Sequence, residues 1–299
     1  MKYAWIEAHI DSYPVRLMCE LLAVSPSGFY AARSRTPSAR AVEQAQIVTE
    51  IRRAQTRHRG RYGRRRMTTE VAVALGRPVN EKRIGRLMRK HDLGSRKRRR
   101  FRVVTTDSKH AHAVAPNVLE RDFAATAPNQ KWLADLTYIP TGEGWLYLAL
   151  VLDLFSRKLV GWAMSDTMPQ ELTLVALHVA LGWRDPAPGL VHHSDRGSQY
   201  AAGDYRKALQ ARGITVSMSR KGDCWDNAPM ESVNGTVKVE CVHGEHFRTR
   251  AEAQQALVEY IGYYNTERRH SALGNLSPAA FEQHWHRTSS LTTTGVTSQ

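Results

Sequence analysis

Apolar positions change their period along the chain, separating a helical front from an alternating α/β remainder. Val15, Met18 and Leu22 share a helical face, and Ser25-Pro26 offers an N-cap followed by proline at the first helical position. Short helices separated by a turn are therefore predicted over 1–35. A further amphipathic helix is predicted over 42–57, with Val42, Ala45 and residues 47–51 on or near its apolar side. Met67, Val71, Ala74 and Leu75 then mark one face of a helix that Gly76-Arg77-Pro78 breaks. Asn80 caps a following helix whose Ile84, Leu87 and Met88 face inward. Together these last two make a helix-turn-helix outline.

Residues 96–128 have little periodicity and read as a linker. Beyond Gln130 the apolar positions give strands at 131–139, 145–152 and 159–164, joined by short turn-forming segments, so an antiparallel meander is expected. A helix at 171–181, a short buried strand at 189–193, a helix at 205–211, a strand at 215–218 and a helix at 230–240 follow. This succession predicts an α/β fold with a mixed five-stranded, ribonuclease H-like sheet flanked by helices, preceded by an all-α helix-turn-helix region. One more amphipathic helix is expected at 251–264. The expected domains are a small helical segment at 1–40, a helix-turn-helix domain at 41–95, a basic linker at 96–128, a catalytic core at 129–285 and a disordered Ser/Thr-rich tail at 286–299.

Charge sharpens this division. The formal net charge is +15, and residues 1–120 alone carry 26 Lys+Arg against 10 Asp+Glu, whereas the rest carry 17 against 18. All of the positive excess therefore lies in the front part, as suits a segment that grips a polyanion. Arginine dominates there and alternates with apolar residues at helical spacing, which favours nucleic acid over a solubilising tail. On the second helix of the helix-turn-helix, Lys82, Arg86 and Arg89 fall opposite the apolar face, with Arg83 beside them, placed for phosphates or base edges. A solvated charged face is the plainer reading of such a helix in isolation. Residues 96–102 add six basic residues around Phe101.

The longest apolar run, 145–152, is far short of the roughly 20 residues of a membrane-spanning helix. With no secretory signal pattern at the start, a cytoplasmic protein without membrane contact is expected. Cys19, Cys224 and Cys241 are too few and too scattered for a disulfide framework or a zinc site.

The candidate chemistry is acidic. Asp135 lies in the middle of the first strand, Asp195 just past the fourth and Glu231 in the first turn of the helix after the fifth. A carboxylate within Trp132-Leu133-Ala134-Asp135-Leu136 costs several kcal/mol to bury unless a cation or ion pair compensates. Taken alone, each acid is equally a cap, a salt-bridge partner or a surface charge.

The surrounding text narrows the choice. Residues 132–139 (Trp-Leu-Ala-Asp-Leu-Thr-Tyr-Ile), Asp153-Leu154-Phe155-Ser156-Arg157 and residues 192–200 (His-His-Ser-Asp-Arg-Gly-Ser-Gln-Tyr) are followed by residues 217–232, which end Asp226-Asn227-Ala228-Pro229-Met230-Glu231-Ser232. Tyr264-Asn265 and residues 268–273 complete the set, and 35 residues separate Asp195 from Glu231. The stretch resembles the integrase core of the IS3-family insertion-sequence transposases, within the DDE superfamily. Residues 42–93 resemble that family's helix-turn-helix region more loosely, most clearly at Tyr62-Gly63-Arg64-Arg65 and residues 79–83. Val233-Asn234 departs from the two aromatic or bulky residues that the family usually carries there, which bears on the packing of that helix.

The resemblance implies a DNA transposase, a polynucleotidyl transferase that cuts and joins strands at the ends of an insertion sequence. Asp135, Asp195 and Glu231 are implied as catalytic residues holding two Mg²⁺ ions, with Mn²⁺ as a substitute. Two such ions roughly 4 Å apart activate the attacking oxygen and stabilise the leaving one. Lys238, seven residues beyond Glu231, matches the family's basic residue on the same helix. Lys238 and Arg196 are expected at DNA phosphates. Asn227 and Trp225 are placed to meet a splayed base or to position the acid, with packing as plausible for Trp225. His192 and His193 are read as structural, Asp153 and Asp226 as turn and cap residues, and Tyr260, Tyr263 and Tyr264 as packing. Arg268 and Arg269 are further candidates for DNA. Expected partners are terminal inverted repeats and target DNA, further copies of the chain in a synaptic complex, and an upstream-frame product or fusion. A non-catalytic DNA-binding regulator of transposition and a structure-selective nuclease of the same fold are the alternatives. A sugar hydrolase using a carboxylate pair leaves the basic front part unexplained.

Overall fold

The computed structural model describes residues 2–96, 114–221 and 223–294. It divides into two compact units: Met1–Arg59 with Glu70–Gly94, and Gly60–Thr69 with Ser95–Gln299.

The first unit is helical. Helices α1 (Lys2–Ala8), α2 (Val15–Leu21) and α3 (Pro26–Ser34) close on Ile6, Met18, Cys19 and Phe29, with Val15 and Leu22 packed alongside. Ser25 caps α3 as its sequence predicts, accepting from Gly28 N at 3.4 Å. In α4 (Ala39–Arg57) the buried face is Ile47, Val48, Ile51, Ala54 and Gln55, whereas Val42 and Ala45 are exposed. The apolar stripe starts a turn later than the sequence predicts, because the first turn of the helix projects into solvent. Helix α5 (Arg64–Leu75) spans the boundary between the units. Gly76, at φ 64°, ends it in the left-handed conformation that a residue without Cβ adopts at little cost. The side chain of Asn80 then caps α6 (Glu81–Lys90), accepting from Arg83 N at 3.2 Å.

In the second unit β1 (Lys131–Thr141), β2 (Gly144–Asp153) and β3 (Leu159–Ser165) form the meander. Helix α7 (Gln170–Arg184) leads to β4 (Val191–Ser194), then α8 (Ser198–Ala201), α9 (Gly203–Gln210) and β5 (Thr215–Met218). The strand order is β3-β2-β1-β4-β5, with β4 parallel to both β1 and β5. This is the mixed ribonuclease H-like sheet expected from the sequence. Alternation along β1 sends Trp132 and Ala134 to the face covered by α7, α8 and α9, and Leu133 to the opposite face. That opposite face is covered by α10 (Ala228–Val237) and α11 (Arg250–Thr266). Gly161 lets α7 approach β3 closely: a Cβ there lies 2.3 Å from Ala176 O and 2.8 Å from Ala180 Cβ.

Two expectations change. Residues 114–128 carry no regular element, yet they are built into the second unit. Leu119 is buried in its core, and the Ser217 hydroxyl accepts from Val118 N at 2.9 Å and Leu119 N at 3.1 Å. Side-chain and backbone bonds of this kind leave no periodicity in the sequence. Helix α12 (Pro278–Thr294) runs through the Ser/Thr-rich stretch where a disordered tail is expected. The hydroxyls of Thr288 and Ser290 bond to carbonyls one turn back, so they satisfy themselves on the helix instead of competing with it. The basic run at 97–102 and residues 295–299 lie outside the described residues. No helix among the described residues is long and apolar enough to cross a membrane.

Candidate active site

The register of β1 against β4 builds the site. Leu133 pairs with His193 in the parallel ladder, so Asp135, two residues further along β1, and Asp195, just past the end of β4, follow that pair in the same direction. Alternation keeps Asp135 on the side of Leu133, the face that α10 covers. Both aspartates are half-buried, while Glu231, in the first turn of α10, is exposed. Asp135 Oδ1 accepts from Leu136 N at 2.9 Å and Oδ2 from Asn234 Nδ2 at 2.8 Å. Asp195 Oδ1 accepts from Gly197 N at 2.9 Å, and a Cβ at Gly197 would sit 3.0 Å from that oxygen.

Burial pushes the Asp135 carboxyl well above the usual carboxylate range, and the neighbouring charges of Asp195 and then Glu231 push it further. Among the described residues no salt bridge reaches Asp135. The three acids thus share one electrostatic neighbourhood. Among the described residues, however, no three His, Cys, Asp or Glu side chains are drawn together around one point. An all-oxygen donor set with excess negative charge fits a hard divalent cation, which relieves the repulsion and keeps water positions open.

Lys238 opens a π-helical turn, Lys238–Val242, that continues α10. Its ammonium lies 4.8 Å from the ring centre of Tyr138, half-buried. Burial lowers its pKa, with the nearby Asp135 opposing that shift in part. Glu240 in the same turn is buried against Arg268, with Nε to Oε2 at 2.8 Å and Nη2 to Oε1 at 2.7 Å. Arg66 and Tyr260 add bonds of 3.1 and 3.0 Å. The expectation that Arg268 touches DNA is corrected here: it is 3% exposed, and its guanidinium is committed to Glu240. Arg269 donates to Asn275 O at 2.9 Å.

The loop into α10 is held from below by Asp226, which is buried. Arg220 donates to it from N, Nε and Nη2 at 2.8, 3.0 and 2.8 Å, Arg121 from Nε at 2.9 Å and Asn117 from Nδ2 at 3.0 Å. The bonds from Arg220 hold its carboxyl far below the usual range. Asp226 is therefore an ion-pair hub and not only a cap. Asp153, also buried, accepts from Asn129 N, Phe155 N and Ser156 N, as its turn position suggests. Trp225 is 67% exposed, so it does not pack. Asn227 is buried and donates to Ala134 O at 3.2 Å, under the loop and not in an open groove. Arg196 Nε donates to Ser219 O at 2.6 Å. His192 bonds Tyr205 at 3.0 Å, and His193 bonds Ser217 at 2.8 Å and Ser219 at 3.1 Å, all within the core.

On α6, Lys82, Arg86 and Arg89 are exposed along one face. Arg83 is instead paired with Glu43 at 2.8 Å, beside Arg77 at 2.7 Å, and the bonds from these two arginines lower the Glu43 carboxyl to about 2. Arg83 is thus tied to α4 and turned from the exposed stripe.

Residues 125–224 match the integrase core domain family, residues 212–278 match a second family with the same description, and residues 42–101 match the HTH-like domain. The 31 kDa protein of insertion element IS600 from Shigella sonnei is 48% identical, over 90% of this chain and 99% of its own length. Transposase InsF of insertion sequence IS3A from Escherichia coli K12 is 42% identical, over 94% of this chain and 98% of its own length. The chain belongs to the IS3-family transposases. It is accordingly a DNA transposase of the polynucleotidyl transferase class, with an HTH-like region ahead of its integrase core. The solved catalytic core domain of HTLV-2 integrase, in complex with magnesium, is similar over 53% of this chain and 99% of its own, at 14% identity and a TM-score of 0.40.

Sequence reasoning did not single out Asn234 or Tyr138 as partners of site residues in this transposase. The signal for Asn234 was present, since it lies three residues after Glu231 and hence on the same face of α10.

Proposed function

We propose that this transposase cleaves and transfers DNA strands at the terminal inverted repeats of its insertion sequence with two Mg²⁺ ions held by Asp135, Asp195 and Glu231. The observation that supports the reading is that Asp135 lies in β1 and Asp195 one residue past the adjacent parallel strand β4, with Glu231 on the helix covering that face and the charges of Asp195 and Glu231 acting on the Asp135 carboxyl. When bound, the ions supply an activated attacking oxygen and a stabilised leaving oxygen for in-line displacement. Asp135, within β1, and Asp195, one residue past the end of β4, would hold the ions that in turn bind the reacting phosphodiester, and the exposed Glu231 would swing in from the first turn of α10. Lys238, held over Tyr138 and without an ion pair among the described residues, offers its ammonium to a phosphate oxygen beside the acids. Arg196 borders the same strand end.

Lys82, Arg86 and Arg89 bind the phosphates or base edges of the terminal repeat from α6. Synapsis of two ends calls for more than one copy of the chain, joined by the product of an upstream frame, and acting in the cytoplasm. Mn²⁺ replaces Mg²⁺ in the same site. The test uses labelled terminal-repeat DNA, with the wild type and the variants Asp135→Asn, Asp195→Asn and Glu231→Gln. The reading expects cleavage and end joining from the wild type alone. Binding without any metal-dependent cutting marks a regulator, and hydrolysis with no joining of matched ends marks a nuclease.

A further inference from the structure

Two buried side-chain amides grip the strand that carries Asp135, one through the backbone and one through the carboxylate itself. Asn227 Nδ2 donates to the carbonyl of Ala134 at 3.2 Å, and Asn234 Nδ2 donates to Asp135 Oδ2 at 2.8 Å. Asn234 is 8% exposed, lies three residues after Glu231, and so shares with it the face of α10 that looks onto β1. In this orientation Asn234 gives the Asp135 Oδ2 oxygen a donor, as Leu136 N does for Oδ1.

The bond has a directional consequence. One Asp135 oxygen is engaged by Leu136 N of its own strand and the other by Asn234, so rotation of the carboxylate about its last torsion breaks one of the two. Asn234 thereby ties the rotamer of Asp135 to the position of α10, the helix that must deliver Glu231. Its Oδ1 is buried and accepts no hydrogen bond among the described residues, and the same holds for Asn227 Oδ1. Buried acceptors without donors are rare in folded proteins and point to a donor that arrives with something else, such as the water shell of a bound cation.

The geometry points to Asn234 as a positioning residue that orients Asp135 for a divalent cation and sets the concentration at which the site fills. This rests on the metal reading given above. Asn234 itself makes no bond to the ion or to the scissile phosphate. Partners that orient a ligating carboxylate from outside typically change metal affinity about 10–100-fold when removed.

The test is a titration of the full-length transposase with MnCl₂ and with MgCl₂, read by calorimetry and by the shift in thermal midpoint, without DNA. Wild type, Asn234→Leu, Asn234→Ser and Asp135→Asn are compared, and strand cleavage is then measured against Mg²⁺ concentration. Asn234→Leu is expected to raise the half-saturating metal concentration about 10-fold or more, with the metal-free thermal midpoint and the affinity for DNA close to wild type. Asn234→Ser, which is smaller and too short to reach Asp135, is expected to give the same shift if the leucine variant does not fold. Saturating Mg²⁺ should restore the cleavage rate of both. A wild type that shows no metal response, or an Asp135→Asn variant that keeps the full response, overturns the metal reading itself. A responsive wild type whose Asn234 variants fill at the same concentration overturns the role of Asn234.

Discussion

Replacing Arg268 by methionine removes the principal partner of a buried anion, and its cost follows from the bonds around Glu240. Glu240 is 5% exposed and Arg268 3%, and they form a two-pronged pair at 2.7 and 2.8 Å. Breaking such a pair from one side typically costs about 3–5 kcal/mol, because the remaining charge is left in the interior. Arg66 and Tyr260 still reach Glu240 at 3.1 and 3.0 Å after the change, so about 3 kcal/mol, the lower end, is expected. For a unit of this size that is about 6–12 °C in Tm. Burial alone would raise the Glu240 carboxyl, but the bonds and charge of Arg268 outweigh it and hold it below its ordinary value. A depressed carboxyl contributes stability that is present above the unfolded pKa and lost as pH falls, so the wild type should lose this increment on acidification. Arg268→Met should lose less. Urea unfolding at neutral pH, followed by circular dichroism, compares the wild type, Arg268→Met, Glu240→Gln and the double variant. The reasoning predicts a double variant more stable than Arg268→Met. It is refuted if Arg268→Met costs under about 1 kcal/mol, well below the range for a broken buried pair, or if the two single effects simply add.

Four further outcomes follow from other parts of the molecule. Gly161→Val should destabilise the second unit by several kcal/mol, on the order of an overpacked core site or more, because even a Cβ lies 2.3 Å from Ala176 O; a Tm within two or three degrees of wild type, about 1 kcal/mol, contradicts this. His192 and His193 are held by burial near 3 and 4, and His270 near 3 by burial and then Arg268, against an ordinary 6.5. The unfolded chain therefore binds more protons below pH 6.5, and stability should fall from there down towards pH 4, by up to about 1.4 kcal/mol per pH unit for each histidine, in an unfolding series across that range. Lys82→Ala and Arg86→Ala should each lower the salt slope of DNA binding by about one, whereas Arg83→Ala should leave it unchanged, since Arg83 is paired with Glu43. Asp226→Asn should weaken three sets of bonds under the loop before α10 and slow strand cleavage at saturating metal more than it weakens DNA binding, in single-turnover kinetics.

Much of this architecture was legible because each element has its own period. The meander, the alternation that puts Leu133 and Asp135 on one face, and the caps at Ser25 and Asn80 all follow from local rules that the fold does not override. The family motif singled out Asp135, Asp195 and Glu231 as candidate site residues. What stayed hidden depends on contacts between distant positions. Arg121, Asn117 and Arg220 converge on Asp226 across more than a hundred residues in two of the three cases, and nothing in a basic, aperiodic stretch announces that. Arg268 reads as a cation for DNA until Glu240 is seen beside it, and Arg83 likewise until Glu43 is. The exposure of Val42 and the extension of α12 through Ser289 reflect where a helix meets its unit, which composition does not encode.

The central claim is that Asp135, Asp195 and Glu231 close around shared ions, and anomalous scattering tests it most directly. Crystals of the transposase with terminal-repeat DNA and Mn²⁺ should show two peaks roughly 4 Å apart among Asp135, Asp195 and Glu231, with Glu231 turned inward. Manganese at other carboxylates, or a filled site with Glu231 still pointing to solvent, contradicts the account.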